Sequence, residues 1–371
     1  MTTDTTEPTA QASLAELVEG ASVIICCGSG GVGKTTIAAV IAMEAARLGR
    51  RAAVVTIDPA RRLANAMGLD GLSNEPSKVA GDWPGELWAL MLDTKSTFDA
   101  LVVNNAADPA QAERILSNRF YQNISGALSG TQEYMATEKL YELHHDRDFD
   151  LVVVDTPPSR NALDFLDAPQ RLSRFLDHRL YRILMAPTRG VLKAASAAAQ
   201  AFVRSVTKVV GGEVFDDAIT FFTAFEGMEK GFKQRADAVT ALLADDGTAF
   251  VLVASPRSDT VAEAGFFADK LAESGLGVEA LVVNRMHPRF IEGAAAGEAA
   301  RERARTLDGT PLGAHYANAA DFAQVADAEE AHLAELAAGV EPAPVVRVPM
   351  LAADVHDLDG LAVVSQYLFA R

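Results

Sequence analysis

Val23-Ile24-Ile25-Cys26-Cys27 is a short, continuously apolar run, and Gly28-Ser29-Gly30-Gly31-Val32-Gly33-Lys34-Thr35 follows it at once. The second stretch matches the phosphate-loop pattern G-x-x-x-x-G-K-[ST] at every fixed position. Glycines let such a backbone curl so that successive N–H groups point inward at the β- and γ-phosphates. The helix that follows adds the positive end of its dipole. In this reading Gly30, Gly31, Val32 and Gly33 form the cradle and Lys34 places a point charge on the phosphates. The Thr35 hydroxyl coordinates magnesium directly, and Thr36, next in the first turn, reaches the α-phosphate. Ordinary residue frequencies produce a chance match about once in a hundred chains of this length. The apolar run before the loop and the amphipathic helix expected after it lower that further.

Working outward, further apolar runs recur at Ala52–Ile57, Leu87–Leu92, Leu151–Val154, Ala249–Ala254, Ala280–Val283 and Val345–Val348. They do not alternate, which is how strands read when both faces of a parallel sheet are buried. Helical periodicity fills Thr35–Leu48, Thr260–Glu273 and His356–Phe369. Strand, helix, strand repeated along a chain predicts a doubly wound α/β fold, here with a mostly parallel sheet of about seven to eight strands. The segments at about 94–148, 161–246 and 287–342 are too long for simple crossovers and read as helical insertions forming a helical subdomain. Residues 1–20 are expected to be a disordered tail, and 21–371 a single domain carrying these insertions. In the second insertion, Val191, Ala195, Ala198, Phe202, Val206 and Val209 form a stripe that suits a core, a dimer contact or a client groove. The third holds ten Asp or Glu against four Arg and is expected to form an exposed helical hairpin.

Composition narrows the function. The 371 residues suggest two or three domain-sized units, and 49% apolar with 22% charged residues is ordinary globular usage rather than a disordered chain. Thirty-three Lys and Arg face 50 Asp and Glu, a net charge of −17, which repels phosphate backbones and disfavours nucleic-acid partners. An anionic ligand must therefore be held by local groups acting against the global field. The two cysteines are neighbours on a predicted strand and point to opposite faces, so they form neither a disulfide nor a zinc site. The first residues lack the apolar core of a signal peptide, and no segment has the roughly 20 apolar residues of a membrane span. A soluble, cytoplasmic protein, not an integral membrane one, is expected.

Phosphoryl transfer needs a metal, a group that orients the nucleophile, and cations on the developing charge. Asp155 ends the run Leu151–Val154, the place of a Walker B carboxylate that holds magnesium in its outer shell. Asp58, in Thr56-Ile57-Asp58-Pro59-Ala60, ends the strand after the first helix, where its carboxylate can orient the attacking water and also sit in the metal's outer shell. A capping role before the Pro59 turn is the plainer alternative. Guanine-specific phosphate-loop proteins read their base with N-K-x-D; here Asn284-Arg285-Met286-His287 has neither Lys nor Asp, which favours ATP. His144, His145, His287 and His315 show no metal-ligand spacing.

Together these residues resemble the arsenite-pump and tail-anchored-protein-targeting ATPases, within the deviant Walker A class of dimeric phosphate-loop ATPases. The likeness runs from about residue 20 to 371. It rests on Gly30-Gly31-Val32-Gly33-Lys34-Thr35-Thr36, the switch I-like Asp58-Pro59-Ala60, the switch II-like Asp155-Thr156-Pro157-Pro158-Ser159, Asn284, and Val348-Pro349-Met350-Leu351. The resemblance implies that Asn284 reads adenine and that Pro349 belongs to a loop covering it. It also implies an ATP-driven switch in which two subunits close over nucleotide and remodel a surface for a partner. Glu133, after Gly126–Gly130, loosely resembles a segment that responds to nucleotide state.

Three departures separate the chain from that pattern. The lysine that reaches across the dimer in the family corresponds to Ser29, a neutral hydroxyl. Arg61 and Arg62 follow the switch I-like aspartate, where relatives carry smaller or neutral side chains; they are either a replacement charge or plain surface residues. The Cys-x-x-Cys clasp is missing, and arsenite chemistry needs thiolates that a buried Cys26–Cys27 pair does not offer.

Two functions of different class follow. The first is a magnesium-dependent dimeric ATPase coupled to a protein partner, with a hydrophobic helix or membrane protein as one client class. The second is an ATP-binding regulatory subunit that turns over only in a heterodimer with a lysine-bearing paralogue. A small-molecule kinase fits less well, because no arginine-rich acceptor lid is present.

Overall fold

The computed structural model describes residues 10–58, 62–125, 131–157, 159–177, 212–291, 293 and 295–369. Eight strands form one sheet: β1 Val23–Gly28, β2 Arg51–Thr56, β3 Ser77–Val79, β4 Glu86–Met91, β5 Leu151–Asp155, β6 Thr248–Ala254, β7 Ala280–Met286 and β8 Val345–Pro349. Their spatial order is β3-β4-β2-β5-β1-β6-β7-β8. The five pairings from β2 across to β8 are parallel, while β3 runs antiparallel to β4. The α/β class and the mostly parallel sheet are as the sequence predicts.

Each predicted apolar run is a strand, but the uniform burial expected of them is not general. Strands β1, β5 and β6 are buried at every residue, whereas β4 alternates and β8 turns Arg347 to solvent. Strand β8 is an outer strand, and β4 has only the three-residue β3 beyond it. One face of such a strand lacks a covering helix, so polar residues are tolerated there. Ser77–Val79 has no apolar run to betray it; antiparallel pairing with β4 makes it a strand.

The described helices, in chain order, are α1 Ala10–Gly20, α2 Lys34–Arg47, α3 Arg62–Ala66, α4 Thr94–Asn105, α5 Pro109–Leu116, α6 Arg119–Ile124, α7 Thr131–Tyr141, α8 Ser159–Asp177, α9 Gly212–Phe225, α10 Glu229–Leu243, α11 Ser258–Glu273, α12 Ala296–Thr306, α13 Pro311–Gly339 and α14 Leu358–Leu368. The expected tail to residue 20 is corrected by α1, where Leu14 and Val18 are fully buried in the core. Residues 1–9 lie outside the described range. Helix α2 is not amphipathic: Ile37 to Ala46 are all buried. Its alanines keep it thin enough to pack against α14 and α1 as well as the sheet.

The chain divides into two compact units. One comprises Met1–Leu90, Asp148–Ala162 and Asp246–Arg371; the other comprises Met91–Arg147 and Leu163–Asp245. The first two expected insertions supply the second unit, while the third stays with the sheet as the hairpin of α12 and α13. There Arg347 of β8 forms a two-pronged pair with Glu330, at 2.7 and 2.9 Å. Within the second unit, Phe98, Tyr121, Phe221, Phe225 and Phe232 pack ring against ring. The stripe from Val191 to Val209 and the segment Gly126–Gly130 lie outside the described residues.

A candidate phosphate-binding site at the carboxyl ends of the central strands

Strand β1 sits between β5 and β6, and its successors cross to opposite sides: β2 beyond β5, β7 beyond β6. This is the point in a doubly wound sheet where the crevice at the strands' carboxyl ends is widest, and where ligands bind. The loop from Gly28 to Gly33 leaves β1 at that point. Gly28 has φ +146°, and a Cβ there would lie 2.0 Å from the carbonyl oxygen of Val253 on the neighbouring β6. Gly33 closes the loop at φ +97°, in the left-handed region, and caps α2 without a side-chain acceptor. By contrast, Asp93, Asp108, Asn118, Thr310 and Asp357 cap their helices through side-chain oxygens. The first amides of α2 are left to an external anion.

Lys34 folds back over the loop, and its Nζ donates to the Ser29 carbonyl at 2.8 Å. Burial holds its amine below the ordinary lysine value, opposed first by the charge of Asp155. Thr35 Oγ1 donates to Asp155 Oδ2 at 2.7 Å. Thr56 Oγ1 donates to the same oxygen at 2.8 Å and accepts from the Asp58 amide at 3.2 Å. Strand register explains the convergence, since Asp155 is opposite Cys26 on β1 and opposite Thr56 on β2. Burial raises the Asp155 carboxyl above its ordinary value, and the Thr35 and Thr56 hydroxyls and Lys34 work against that rise. Thr156 then ties the next turn to β1, its hydroxyl donating to the Cys26 carbonyl at 2.8 Å.

The second oxygen of that carboxylate decides whether a metal fits. Asp155 Oδ1 is buried and makes no hydrogen bond. An unpaired carboxylate oxygen out of water is costly, and such an atom normally has a ligand. Its donor set, a carboxylate beside a threonine hydroxyl, is hard oxygen chemistry of the kind magnesium takes. The residues therefore fit a hydrated magnesium ion held by Thr35 and Asp155.

Asn284 ends the buried part of β7. Its Nδ2 donates to the Val32 carbonyl at 2.8 Å, and its Oδ1 accepts the Arg285 amide at 2.9 Å. The Arg285 guanidinium, exposed, donates to the Gly31 carbonyl at 2.9 Å. Pro349 is paired with Met286 across β7 and β8, and the following amide donates to the Met286 carbonyl at 2.7 Å. Ser29 is 2% exposed and its hydroxyl donates inward to the Thr260 carbonyl at 3.4 Å. Thr36 follows Thr35 in the first turn of α2. Arg61 lies outside the described residues; Arg62 opens α3 on the surface. Glu133 is buried on α7 of the second unit. His287 is held by Glu329 through both its amide and its ring, an ordinary structural contact. Cys26 and Cys27 are buried as expected; burial lifts both thiols, that of Cys27 to about 12.

Two participants had no assigned role in the sequence reading. Thr56 carries a signal, a polar residue closing an apolar strand, but its partner is 99 residues away. Arg285 carries none, because its contact depends on an irregularity in β7.

The fold and the loop define a phosphate-loop α/β protein. A family model of anion-transporting ATPases matches residues 21–303, and the chain belongs to that family. It is 28% identical over 177 residues to the protein named ATPase GET3 of Malassezia globosa, covering 47% of this chain and 51% of that one. It is 28% identical over 270 residues to the arsenical pump-driving ATPase of Acidiphilium multivorum, covering 70% and 39% respectively. An uncharacterized protein of Streptomyces coelicolor is 30% identical over 266 residues, covering 71% and 62%. The chain thus spans about half, or less, of the length of the first two relatives. Among the described residues, no helix is long and apolar enough to cross a membrane.

Proposed function

We propose that this chain binds ATP with magnesium at the loop Gly30–Thr36 and hydrolyses it. One observation carries the reading: two threonine hydroxyls from different elements converge on Asp155 Oδ2 while Oδ1 stays buried and unpaired beside the loop. Magnesium would supply Lewis-acid neutralisation of the phosphate oxygens there. The chain's own residues do the rest. Loop amides and Lys34 take the phosphate charge, and Asp58, anchored through its amide to Thr56, orients water for in-line attack. Asn284 keeps one N–H and one lone pair of its amide beyond its two bonds, enough to read adenine, with Pro349 near it on β8.

Calorimetry with ATP, with and without magnesium, tests the binding. Hydrolysis by wild type, Lys34→Ala and Asp58→Asn tests the chemistry. The expected result is magnesium-dependent uptake, with turnover lost in both variants. Undiminished turnover in Asp58→Asn would remove that residue from the mechanism. In this proposal nucleotide closure of a dimer in the cytoplasm controls a protein partner. A hydrophobic helix or a membrane protein is one candidate client.

A second reading is favoured by Ser29. Its inward, buried hydroxyl leaves no cation at the position where the family lysine would project. The chain would then be an ATP-binding subunit that turns over only beside a lysine-bearing paralogue. Mixing the two and measuring turnover separates the readings: robust activity alone with no stimulation sinks the second. Ser29→Lys should raise activity alone if the missing cation is limiting.

A further inference from the structure

In a regular strand, neighbouring side chains point to opposite faces. Asn284 and Arg285 are neighbours on β7, yet both donate to the same loop, to consecutive carbonyls at Val32 and Gly31. The backbone explains how. The pairing of β7 with β8 slips between Asn284 and Met286, and Arg285 lies at φ +65°, in the left-handed region. That is sparsely populated for a residue with a side chain, and strain of this kind persists where a site depends on it. Arg285 and Asp148 are the two non-glycine residues with positive φ among those described.

The direction of the two bonds matters. A trans peptide holds its C=O and the next N–H antiparallel. Fixing the Gly31 carbonyl outward therefore aims the Val32 amide the opposite way, and fixing the Val32 carbonyl aims the Gly33 amide. Gly33 has no room for a side chain because a Cβ would meet Asn284 Nδ2 at 2.3 Å. We propose that Asn284 and Arg285 form a brace that holds two amides of the phosphate loop in their anion-binding orientation before nucleotide arrives, with Arg285 as a positioning residue. The inference rests on the loop being the phosphate cradle. It adds that part of the affinity for phosphate comes from side chains on β7 that need not touch it, because a preformed cradle loses less freedom on binding.

The test uses the full chain and two probes, magnesium-ATP and magnesium-tripolyphosphate, which lacks a base. Arg285→Ala and Arg285→Gly both delete the guanidinium, and the glycine accepts φ +65° without strain. Both variants should weaken ATP and tripolyphosphate by similar factors, about tenfold, the size of one lost hydrogen bond from a charged donor. Arg285→Lys, which keeps a single donor, should recover most of the loss. Amide exchange of the peptide spanning the loop should speed up in the nucleotide-free variants and return to the wild-type rate when ATP is bound. Loss confined to ATP would overturn the brace by showing that Arg285 meets the base. Unchanged affinity and exchange would overturn it too. If wild type bound neither probe, the cradle reading itself would be at fault, a failure distinct from these.

Discussion

Thr56→Val removes one hydroxyl, and its cost follows from three neighbours. The hydroxyl is 1% exposed, donates to Asp155 Oδ2 at 2.8 Å and accepts from the Asp58 amide at 3.2 Å. A lost hydrogen bond to a charged group costs about 1.5–3 kcal/mol; the Asp58 amide, half-exposed, turns to water at little further cost. Thr35 still donates to Asp155, so the carboxylate is weakened in support rather than stranded. The expected loss is therefore about 2 kcal/mol in magnesium-free protein at pH 8. The pH dependence has a definite sign. Burial already raises the native Asp155 above its unfolded value, so native protein binds the extra proton and this group's contribution falls as pH rises through that window. Losing Thr56 raises it further, so the variant's deficit is largest at alkaline pH. It shrinks as acid protonates Asp155, where the lost bond is an ordinary neutral one. Both tryptophans, Trp83 and Trp88, lie in the unit that holds the loop, so urea unfolding followed by their fluorescence reports that unit. A deficit that stays constant from pH 8 to pH 5, or no deficit at all, would refute the reasoning.

Three further outcomes follow from single positions. Gly33→Ala combines a left-handed φ of +97° with a Cβ at 2.3 Å from Asn284 Nδ2, so about 2 kcal/mol of stability should be lost together with most ATP affinity; the same tryptophan signal and calorimetry check it, and a silent substitution would contradict the loop geometry. The Cys27 thiol, lifted to about 12 by burial, and its neighbour Cys26 should resist a thiol-specific disulfide reagent at pH 8 in native protein and react at once in denaturant; prompt native reaction would show that β1 opens. Leu14→Ala should cost about 2–4 kcal/mol although it lies near the chain start, because α1 belongs to the core; an unfolding midpoint equal to wild type would restore the picture of a loose tail.

What could be read from the sequence divides along a physical line. Strands β1, β5 and β6 are buried on both faces, so each position is apolar and the run announces itself. The phosphate loop is legible because its conformation demands glycines at fixed spacing, and Asp155 because a charge closing such a strand has few other reasons to be there. Helix α1 was not legible: its first residues are polar and acidic in composition, and only packing against the sheet unit shows that Leu14 and Val18 are inside. Thr56 and Arg285 were not legible because each acts through a partner distant along the chain, 99 residues in one case and 254 in the other. Register brings the first pair together, and a slip in register brings the second. Neither property is carried by local composition.

The same two contacts bear on how an acidic chain manages a triphosphate. With a net charge of −17, the molecule's field opposes the ligand, and the nearby carboxylates Asp58 and Asp155 add to that opposition. Two cations are bonded to the loop itself, Lys34 to the Ser29 carbonyl and Arg285 to the Gly31 carbonyl. Lys34 is buried at the cradle, where a charge is worth far more than in water; Arg285 is exposed, where solvent screens it. Arg285 therefore contributes mainly through the geometry it imposes, and the net positive potential of the cradle must come from oriented amides, Lys34 and the metal. Amides are fixed dipoles that work only while aimed. A loop that relies on them in place of a second lysine at position 29 gains more from a brace than one with a spare cation, which ties the neutral Ser29 to the strained Arg285 as two parts of one electrostatic arrangement. If that coupling is real, Ser29→Lys combined with Arg285→Ala should bind tripolyphosphate more tightly than the two separate effects predict. A double-mutant cycle in which the effects simply add would separate the two residues again.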